Sequence, residues 1–479
     1  MKIAMVASEA APYAKSGGLG DVMLGLPSQL ARIAGNEVCL FLPYYKRIKE
    51  NSAYAVEFCQ DFKVQLSWRE QYAGLFRLKP KTRKKQPTVY FIDNEYYFGR
   101  DGLYGYLDDG ERYAYFSKAV LEAMAALEFI PDIIQSNDWQ TAMVPVYLNA
   151  NYRDTFPNTK AVFTIHNIEY QGWANPDFFD NVLGLPDSYR GTMDMSGGVN
   201  MMKGAIECAD AVSTVSETYA QEIRYPYFAH GLDGILSANW FKLTGITNGV
   251  DVSVFDPATD KTLVENYDID TYAAGKAANK AAVQKELGLP ANPEAPMLSM
   301  ITRLAGHKGI DLLCYVARRL LELDVQLVIL GTGEQRFENF FRGLAAEFPE
   351  KVSAQIKFDL GLANRIYAAS DVYLMPSKSE PCGLSQMNAM RYGTVPVVNA
   401  TGGLKDTVPP VDLEEGTGLG FTFQSYNGDD FWGAITRCLA VYQDKDAWDA
   451  LIRRDMATDF SWKKPAEKYM ALFTRLLGE

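Results

Sequence analysis

Short apolar runs alternate with amphipathic segments along the chain. Residues 2–7 form the first apolar run and predict a buried strand, and Val22, Leu26 and Leu30 then recur at the spacing of one helix face. Further apolar runs, each predicted to be a strand, are residues 37–42, 89–92, 132–136, 161–165 and 211–215. This alternation predicts a doubly wound α/β domain with a parallel sheet.

The strand and helix pattern starts again in the second half of the chain. A polar segment rich in alanine and lysine, residues 256–289, leads into it. The runs predicted to be strands beyond that segment are residues 297–301, 325–330, 371–375 and 394–398. We therefore expect two doubly wound, Rossmann-like α/β domains, residues 1–245 and 246–461, with a cleft between them.

Composition and charge limit the class of protein. The chain has 479 residues, which is too long for one ordinary core, and its 48% hydrophobic and 22% charged residues are typical of globular proteins. A net charge of −12 disfavours nucleic acid or an anionic membrane as a partner. No apolar run approaches the length of about 18 residues that a membrane span requires. We therefore expect a soluble cytoplasmic protein.

Cysteine and histidine usage disfavours metal and disulfide sites. The six cysteines lie far apart with no CxxC pair, and there are three histidines. This pattern predicts neither a zinc site nor a disulfide framework and is typical of a reducing compartment. Nothing in the sequence indicates the oligomeric state.

The first loop of the chain is glycine-rich and joins the first strand to the first helix. It contains Lys15, Ser16, Gly17 and Gly18. Glycines allow a close approach of the backbone to a ligand, and a helix N-terminus offers free N–H groups to an anion such as phosphate. A tight turn with a solvated lysine explains the same residues, so the rest of the chain has to decide between the two interpretations.

Polar residues follow three predicted strands of the first domain. They are Asn137 and Asp138, then His166, and then Ser216 with Glu217. Ligands of open parallel sheets bind beyond the carboxyl ends of the strands, so we expect these residues to meet in one crevice. A single histidine such as His166 is more often structural, but three such strand ends together favour a site.

The second domain also carries charged and glycine-rich loops directly after its predicted strands, as the first domain does. Arg303 and Lys308 follow its first strand and suit a diphosphate, although surface charge explains them as well. Glu380 follows a later strand, and Pro381 and Gly383 after it predict the start of a helix whose N–H groups face a phosphate. A second Gly-Gly-Leu sequence occupies residues 402–404.

Together these motifs closely resemble the bacterial glycogen synthases, the starch synthase type of GT-B glycosyltransferase. The resemblance covers nearly the whole chain. Its motifs are Lys15-Ser16-Gly17-Gly18-Leu19, Asn137-Asp138-Trp139, Thr164-Ile165-His166-Asn167, Tyr170-Gln171-Gly172, Asn248-Gly249-Val250-Asp251, Arg303 with Lys308, Glu380-Pro381-Cys382-Gly383-Leu384, Thr401-Gly402-Gly403-Leu404 and Asp459-Phe460-Ser461-Trp462.

The resemblance implies transfer of glucose from ADP-glucose to the non-reducing end of an α-1,4-glucan, with retention of configuration and release of ADP. It implies no cofactor and no metal, because cations and a helix dipole take the place of one. It also implies a front-face mechanism in which the leaving phosphate helps to take the proton of the acceptor. The implied catalytic residues are Glu380, His166, Asp138, Lys308 and Arg303. The residues implied to bind ADP-glucose are Lys15, Gly18, Asn248, Arg303, Lys308, Glu380, Cys382, Gly383 and Leu384.

Two more expectations come from the resemblance. The last segment, residues 462–479, is amphipathic and is expected to cross back to the first domain, although a plain terminal core helix fits the pattern too. Because Lys15 and the Arg303 loop belong to different domains, the donor site is expected to be complete only when the domains close.

The chain departs from the family pattern at three positions. Many relatives have histidines where this chain has Asn137 and Gln140, which makes the preference for an acceptor less certain. Many retaining enzymes have a second glutamate eight positions after the first, where this chain has Asn388. Bacterial glycogen synthases vary at that position, so the difference does not count against the activity.

Other interpretations remain for the whole chain and for two segments. A silent glucan- or nucleotide-binding protein would share this scaffold, whereas a dinucleotide oxidoreductase would need the GxGxxG motif that the first loop lacks. A phosphorylase that uses pyridoxal phosphate would need a longer chain. The basic run at residues 79–85 predicts a solvated hairpin turn or a polyanion patch, and residues 98–105 a substrate lid or a surface loop. Adenine specificity rests on the resemblance alone.

Overall fold

The computed structural model describes residues 1–80 and 85–478. The chain forms two compact units, which are Met1–Gly249 with the residues from Trp462 onward, and Val250–Ser461. The boundary thus lies four residues beyond the predicted one. The reason is that the N–H of Ile246 donates to the carbonyl of Thr214 at 2.8 Å and continues the pairing of the first sheet.

The main sheet of the first unit has nine strands within the described residues. Its strands lie in the order β12-β11-β7-β6-β1-β2-β5-β4-β3. The residues between β7 and β11 form a separate small sheet, β8-β10-β9. The main sheet is parallel except at β4 and β3, which pair antiparallel at one edge. The strands are β1 (Lys2–Val6), β2 (Glu37–Pro43), β3 (Val56–Leu66), β4 (Arg69–Leu78), β5 (Thr88–Asp93), β6 (Ile133–Asn137), β7 (Lys160–Ile165), β8 (Trp173–Ala174), β9 (Asp194–Met195), β10 (Gly198–Asn200), β11 (Ala211–Thr214) and β12 (Leu243–Gly245).

Helices connect these strands and cover the sheet. Their apolar residues join the buried core of the unit, as the 3.6-residue spacing in the sequence predicts. The helices are α1 (Gly18–Arg32), α2 (Lys46–Lys49), α3 (Glu95–Phe98), α4 (Asp109–Ala126), α5 (Met143–Asn151), α6 (Arg190–Met193), α7 (Met201–Cys208), α8 (Glu217–Glu222), α9 (Pro226–Ala229) and α10 (Asp233–Ala238).

The second unit repeats the architecture with a fully parallel sheet. The order of its strands is β15-β14-β13-β16-β17-β18. The strands are β13 (Met297–Ile301), β14 (Gln326–Leu330), β15 (Val352–Gln355), β16 (Val372–Met375), β17 (Val395–Asn399) and β18 (Phe421–Phe423). The helices are α11 (Tyr272–Leu287), α12 (Ile310–Leu321), α13 (Gln335–Glu347), α14 (Leu360–Ala369), α15 (Ser385–Arg391), α16 (Gly402–Thr407), α17 (Gly428–Gln443) and α18 (Lys445–Ala457). The predicted α/β class with two doubly wound domains is therefore confirmed.

The last helix, α19 (Lys463–Leu477), packs in the first unit against α1. Ala466, Tyr469 and Phe473 are fully buried on its inner face. The chain therefore completes the core of its first unit with residues that follow the whole second unit.

Three observations concern the remaining predictions. Most of the basic run at residues 79–85 lies outside the described residues, although the strands on either side of it, β4 and β5, pair antiparallel. Residues 99–108 form a loop in which Arg100 donates to both carboxylate oxygens of Asp108, at 2.5 and 2.6 Å. Across residues 1–80 and 85–478, no helix has the length and apolar character of a membrane span.

Candidate functional site

Two neighbouring strands of the first unit bring Asp138 and His166 together. Asp138 follows β6 and His166 follows β7, and these strands pair in parallel. The Oδ1 of Asp138 accepts the backbone N–H of His166 at 2.7 Å and that of Asn167 at 3.2 Å. The carboxyl group of Asp138 therefore fixes the backbone at the end of the neighbouring strand, as the pattern of strand ends predicts.

The third strand end does not join this cluster. The Ser216 hydroxyl accepts the N–H of Tyr219 at 2.9 Å and caps α8. Glu217 forms an ion pair with Lys468 of α19. Both residues therefore stabilise helices, and among the described residues neither side chain bonds to Asp138 or His166, although β11 pairs with β7.

The side chain of Asn137 sets the tautomer of His166. The Asn137 amide nitrogen donates to the carbonyl of Val6 at 3.0 Å, so its Oδ1 is the acceptor for the His166 Nε2, 2.9 Å away. The proton of the ring therefore lies on Nε2, and Nδ1 carries a free lone pair. Burial lowers the pKa of His166 to about 3, so the ring is neutral at physiological pH.

Asp138 is held in an unfavourable state. Burial raises the pKa of this carboxyl to about 7. The two backbone N–H groups favour the ionised form and lower the pKa, whereas the charge of Glu9 raises it by a smaller amount. Its φ of 58° is also uncommon for a residue other than glycine. Strain and desolvation at one residue are typical of functional sites.

The glycine-rich loop presents a helix N-terminus, as predicted. Helix α1 begins at Gly18 without a side-chain cap, and within the described residues the N–H groups of Gly18 and Leu19 donate to no protein acceptor. The Lys15 ammonium lies 2.7 Å from the Asp21 carboxylate, so its charge is paired. Free N–H groups next to a cation form a suitable anion site.

The sequence interpretation missed Glu9 in this region. Its carboxylate is 4% exposed and accepts hydrogen bonds from the backbone of Ser16 and Gly17 and from the hydroxyls of Ser16 and Tyr104. The signal that could have identified it is a carboxylate shortly after the first strand, the same pattern that Asp138 shows after β6.

The second unit brings three of the predicted residues to adjacent strands. Arg303 and Lys308 follow β13, and Glu380 follows β16, which pairs with β13 in parallel. The Lys308 ammonium lies 2.7 Å from the Oε2 of Glu380, and the Ser377 hydroxyl donates to the same oxygen at 3.0 Å. Arg303 is exposed and has no side-chain hydrogen bond or ion pair among the described residues. A free guanidinium thus lies on the same loop as a lysine with a fixed position.

The helix after Glu380 begins later than predicted. Helix α15 starts at Ser385, whereas Pro381 and Gly383 were expected to open it. The N–H of Gly403 in α16 donates to the carbonyl of Glu380 at 3.0 Å and holds the segment in a loop. Gly383 has a φ of 72°, which suits glycine and not a first helical residue.

This loop still leaves backbone donors available. The N–H groups of Gly383 and Leu384 donate to no protein acceptor within residues 1–80 and 85–478. Cys382, the third residue predicted to bind ADP-glucose here, is 4% exposed. The free N–H groups and the neighbouring cations are compatible with an anionic ligand, although α15 has only seven residues.

Three further predicted or divergent positions carry buried oxygens without a partner. They are the side-chain carbonyl oxygens of Asn248, Asn388 and Gln140, in residues that are 6%, 6% and 9% exposed. Asn248 lies in the first unit, since the boundary follows Gly249. Buried polar atoms without a partner are rare in folded proteins and are typical of positions that bind a ligand or water.

The donor set does not resemble a metal centre. Within the described part of the chain, no group of three histidine, cysteine, aspartate or glutamate side chains has the geometry to hold an ion. The charged side chains among the predicted site residues of the second unit are instead those of Arg303, Lys308 and Glu380, two cations and a carboxylate.

Both units match known families. Residues 2–238 match the model of the starch synthase catalytic domain, and residues 285–450 match that of glycosyl transferases group 1. A glycogen synthase from Clostridium perfringens is 46% identical over 481 residues, which cover 100% of this chain and 98% of the relative. One from Bacillus anthracis is 44% identical over 481 residues and covers 100% of both chains.

Solved structures also resemble this chain. The catalytic domain of starch synthase IV from Arabidopsis thaliana, bound to ADP and acarbose, has a TM-score of 0.91 and 34% identity, with coverage of 100% of this chain and 99% of that one. Sucrose-phosphate synthase from Thermosynechococcus elongatus has a TM-score of 0.63 at 19% identity, again with coverage of 100% and 99%, and shares the fold.

Proposed function

The chain belongs to the glycogen synthase family of glycosyltransferases, and from this premise we propose that it transfers glucose from ADP-glucose to the non-reducing end of an α-1,4-glucan. Configuration at the anomeric carbon is retained and ADP is released. The observation that carries the proposal is the cluster of Arg303, Lys308 and Glu380 after adjacent strands of the second unit. Its two α/β units have the GT-B fold.

The second unit supplies the charges for the donor. Arg303 and Lys308 bind the diphosphate and stabilise the negative charge that grows on it as the bond to glucose breaks. The N–H groups of Gly383 and Leu384, next to Cys382, add to that site. Glu380 accepts hydrogen bonds from the glucose hydroxyls while it fixes the Lys308 ammonium, and the 2.7 Å ion pair supports the second of these roles.

The first unit supplies groups around the sugar. Lys15 and the N–H of Gly18 contact the donor, and Asn248 offers its unpartnered amide oxygen to the reacting sugar. Asp138 and the neutral His166 line the sugar pocket. A neutral ring suits hydrogen bonds from sugar hydroxyls, since the lone pair on Nδ1 can accept them without adding charge.

The reaction proceeds on one face of the donor sugar. The hydroxyl oxygen of the acceptor forms a bond to the anomeric carbon as the bond from that carbon to the β-phosphate oxygen breaks, and the proton of the hydroxyl passes to the leaving phosphate. The cations and N–H groups stabilise the ADP that departs, so no metal ion is required. We also propose a cytoplasmic location, with no nucleic acid or membrane as partner.

The test compares two donors in the presence of glycogen. Release of ADP from ADP-glucose is expected to exceed release of UDP from UDP-glucose, and Lys15→Ala is expected to lower glucose transfer by about 100-fold because a cation at the diphosphate is lost. Removal of Lys15 leaves the fold intact, since its ion pair with Asp21 is about one-third exposed.

Lys46→Ala provides the matched control, because this lysine forms an equally short ion pair, with Asp101, on the surface of the same unit. Near-normal transfer by Lys15→Ala would exclude the role of that lysine. Glycogen binding without release of any nucleotide by the unmodified protein would favour a silent binding protein.

A further inference from the structure

The most densely bonded carboxylate in this part of the molecule is that of Glu9, behind the glycine-rich loop. Its Oε2 accepts the N–H of Ser16 at 2.5 Å and that of Gly17 at 3.1 Å. Its Oε1 accepts the Ser16 hydroxyl at 2.8 Å and the Tyr104 hydroxyl at 2.7 Å. Each oxygen therefore has two donors.

No cation balances this charge. Glu9 forms no ion pair with any lysine, arginine or histidine of residues 1–80 and 85–478, and it is 4% exposed. A carboxylate without a counterion in the interior is costly unless hydrogen bonds compensate for the lost water. The four donors provide that compensation, so the positions of Ser16 and Gly17 are tied to the position of Glu9.

The carboxylate also connects two loops that are far apart in the sequence. The Tyr104 hydroxyl, which donates to Glu9, lies 2.8 Å from the Ser8 hydroxyl as well. Tyr104 belongs to the loop at residues 99–108, whereas Ser16 and Gly17 belong to the loop that opens α1. Glu9 is thus the common acceptor of both loops.

The backbone N–H groups of the glycine-rich loop fall into two sets, those that donate to Glu9 and those that donate to no protein acceptor within the described residues. Glu9 occupies the N–H groups of Ser16 and Gly17, while those of Gly18 and Leu19 stay free. Lys15 is turned toward Asp21 at 2.7 Å and is not in contact with Glu9. An external anion therefore meets the free end of α1 and the Lys15 ammonium, not the N–H groups that Glu9 already holds.

We propose that Glu9 is a positioning residue for donor binding: by holding Ser16 and Gly17, it sets the loop so that Lys15 and the free N–H groups of Gly18 and Leu19 face the anionic donor. The inference rests on the proposed function for the identity of that donor. That Glu9 holds the loop in place does not depend on the proposed function.

Two variants of Glu9 separate hydrogen bonding from charge. In Glu9→Gln the amide oxygen can accept both N–H groups, and the amide nitrogen can donate to the hydroxyls of Ser16 and Tyr104, which accept as readily as they donate. Glu9→Ala removes all four bonds. A loop set by hydrogen bonds is therefore kept by glutamine and released by alanine.

The kinetic test measures KM and kcat with ADP-glucose and glycogen. For Glu9→Ala the KM for ADP-glucose is expected to rise at least tenfold, while the KM for glycogen stays within twofold. Glu9→Gln is expected to stay within threefold of the unmodified enzyme in both. Ser216→Ala is the control, because it removes a buried helix cap of the same unit outside the site and should change neither KM.

Hydrogen–deuterium exchange of the peptide at residues 14–20 gives a readout without activity. Faster exchange in Glu9→Ala and unchanged exchange in Glu9→Gln support the hold on the loop. If Glu9→Ala fails to fold, Tyr104→Phe removes one of the four donors without a large cavity and should still raise the KM for ADP-glucose, by about threefold.

An unchanged KM and unchanged exchange in Glu9→Ala would overturn the proposal. Equal defects in Glu9→Gln and Glu9→Ala would also overturn it, since charge and not hydrogen bonding would then act. An unmodified enzyme that transfers no glucose from ADP-glucose would contradict the proposed function, whereas the exchange experiment would still test Glu9.

Discussion

Asp138 combines two features that destabilise the folded chain at a single residue. It has a φ of 58°, and burial raises the pKa of its carboxyl to about 7. The usual value for an aspartate is about 3.9, so the unfolded chain releases this proton far more readily than the folded one. The contribution of Asp138 to stability is therefore full below about pH 4 and is lost as the pH rises through 7.

Asp138→Asn should stabilise the protein increasingly as the pH rises. The asparagine oxygen can still accept the N–H groups of His166 and Asn167, but no charge has to be buried. We expect the gain in the free energy of unfolding to be larger at pH 8 than at pH 5 by about 2 kcal/mol, measured by thermal unfolding at both pH values.

Asp154→Asn serves as the control for that experiment, since Asp154 is exposed. Activity should fall in Asp138→Asn although stability rises, which is the expected behaviour of a strained functional residue. An equal gain at pH 5 and pH 8 would mean that burial of the charge is not the cause.

For single residues, the sequence predicted which side chains belong to the candidate site better than it predicted the residues they contact. Arg303, Lys308 and Glu380 were found because charged residues follow apolar runs, and parallel strands then bring them to one edge of a sheet. Glu9 was missed because its contact with Tyr104 spans 95 residues and leaves no local pattern in the sequence.

Strands and helices were predicted where one face or the whole element is buried. All ten apolar runs assigned to strands are strands, with bounds that differ by at most one residue at either end. Strand β3 was not predicted because it lies at the exposed edge of the sheet, where polar residues interrupt the apolar alternation. The start of α15 was misplaced because a contact with α16 decides it, and not its own residues.

Lys276 of α11 holds several chain segments of the second unit together. Its Nζ lies 2.8, 3.1 and 3.1 Å from the carbonyl oxygens of Ser370, Ala368 and Tyr392 and 3.0 Å from the Thr394 hydroxyl, so these four acceptors share its N–H donors. The side chain is 7% exposed, so these carbonyls have no access to water in its place. Lys276→Met keeps the length of the side chain but leaves the acceptors without a donor.

We expect Lys276→Met to lower the free energy of unfolding of the second unit by about 3 kcal/mol. This change is measured in the second unit by denaturant unfolding, monitored through the hydrogen exchange of α14 and of residues 392–394. Lys285→Met is the matched control because it lies on the exposed side of the same helix and should change the stability by less than about 0.5 kcal/mol. Equal effects of the two variants would contradict the prediction.

The path of the chain makes the first unit depend on both ends of the sequence. The restart of the strand pattern predicts two domains, but amphipathicity alone does not show which domain α19 joins; only the family resemblance suggested it. In the structure α19 packs against α1, and the backbone of Gly25 in α1 lies directly against the indole of Trp462. A Cβ at position 25 would overlap that ring, which is 5% exposed and cannot move aside.

Truncation after Ser461 should therefore unfold the first unit before the second, although the residues removed follow the second unit in the sequence. It removes the fully buried Tyr469 and Phe473 and exposes the apolar face of α1. Scanning calorimetry of the truncated chain should show a first transition shifted down by at least 10 °C, with hydrogen exchange fastest in α1.

Gly25→Ala should shift that transition in the same direction by a few degrees, because it separates α1 from Trp462 without removing α19. Gly343→Ala is the control, since a Cβ at that helical position meets no atom within 4 Å. If Gly25→Ala behaves like Gly343→Ala, the packing of α19 on α1 does not limit the stability of the unit, and the truncation must act by another route.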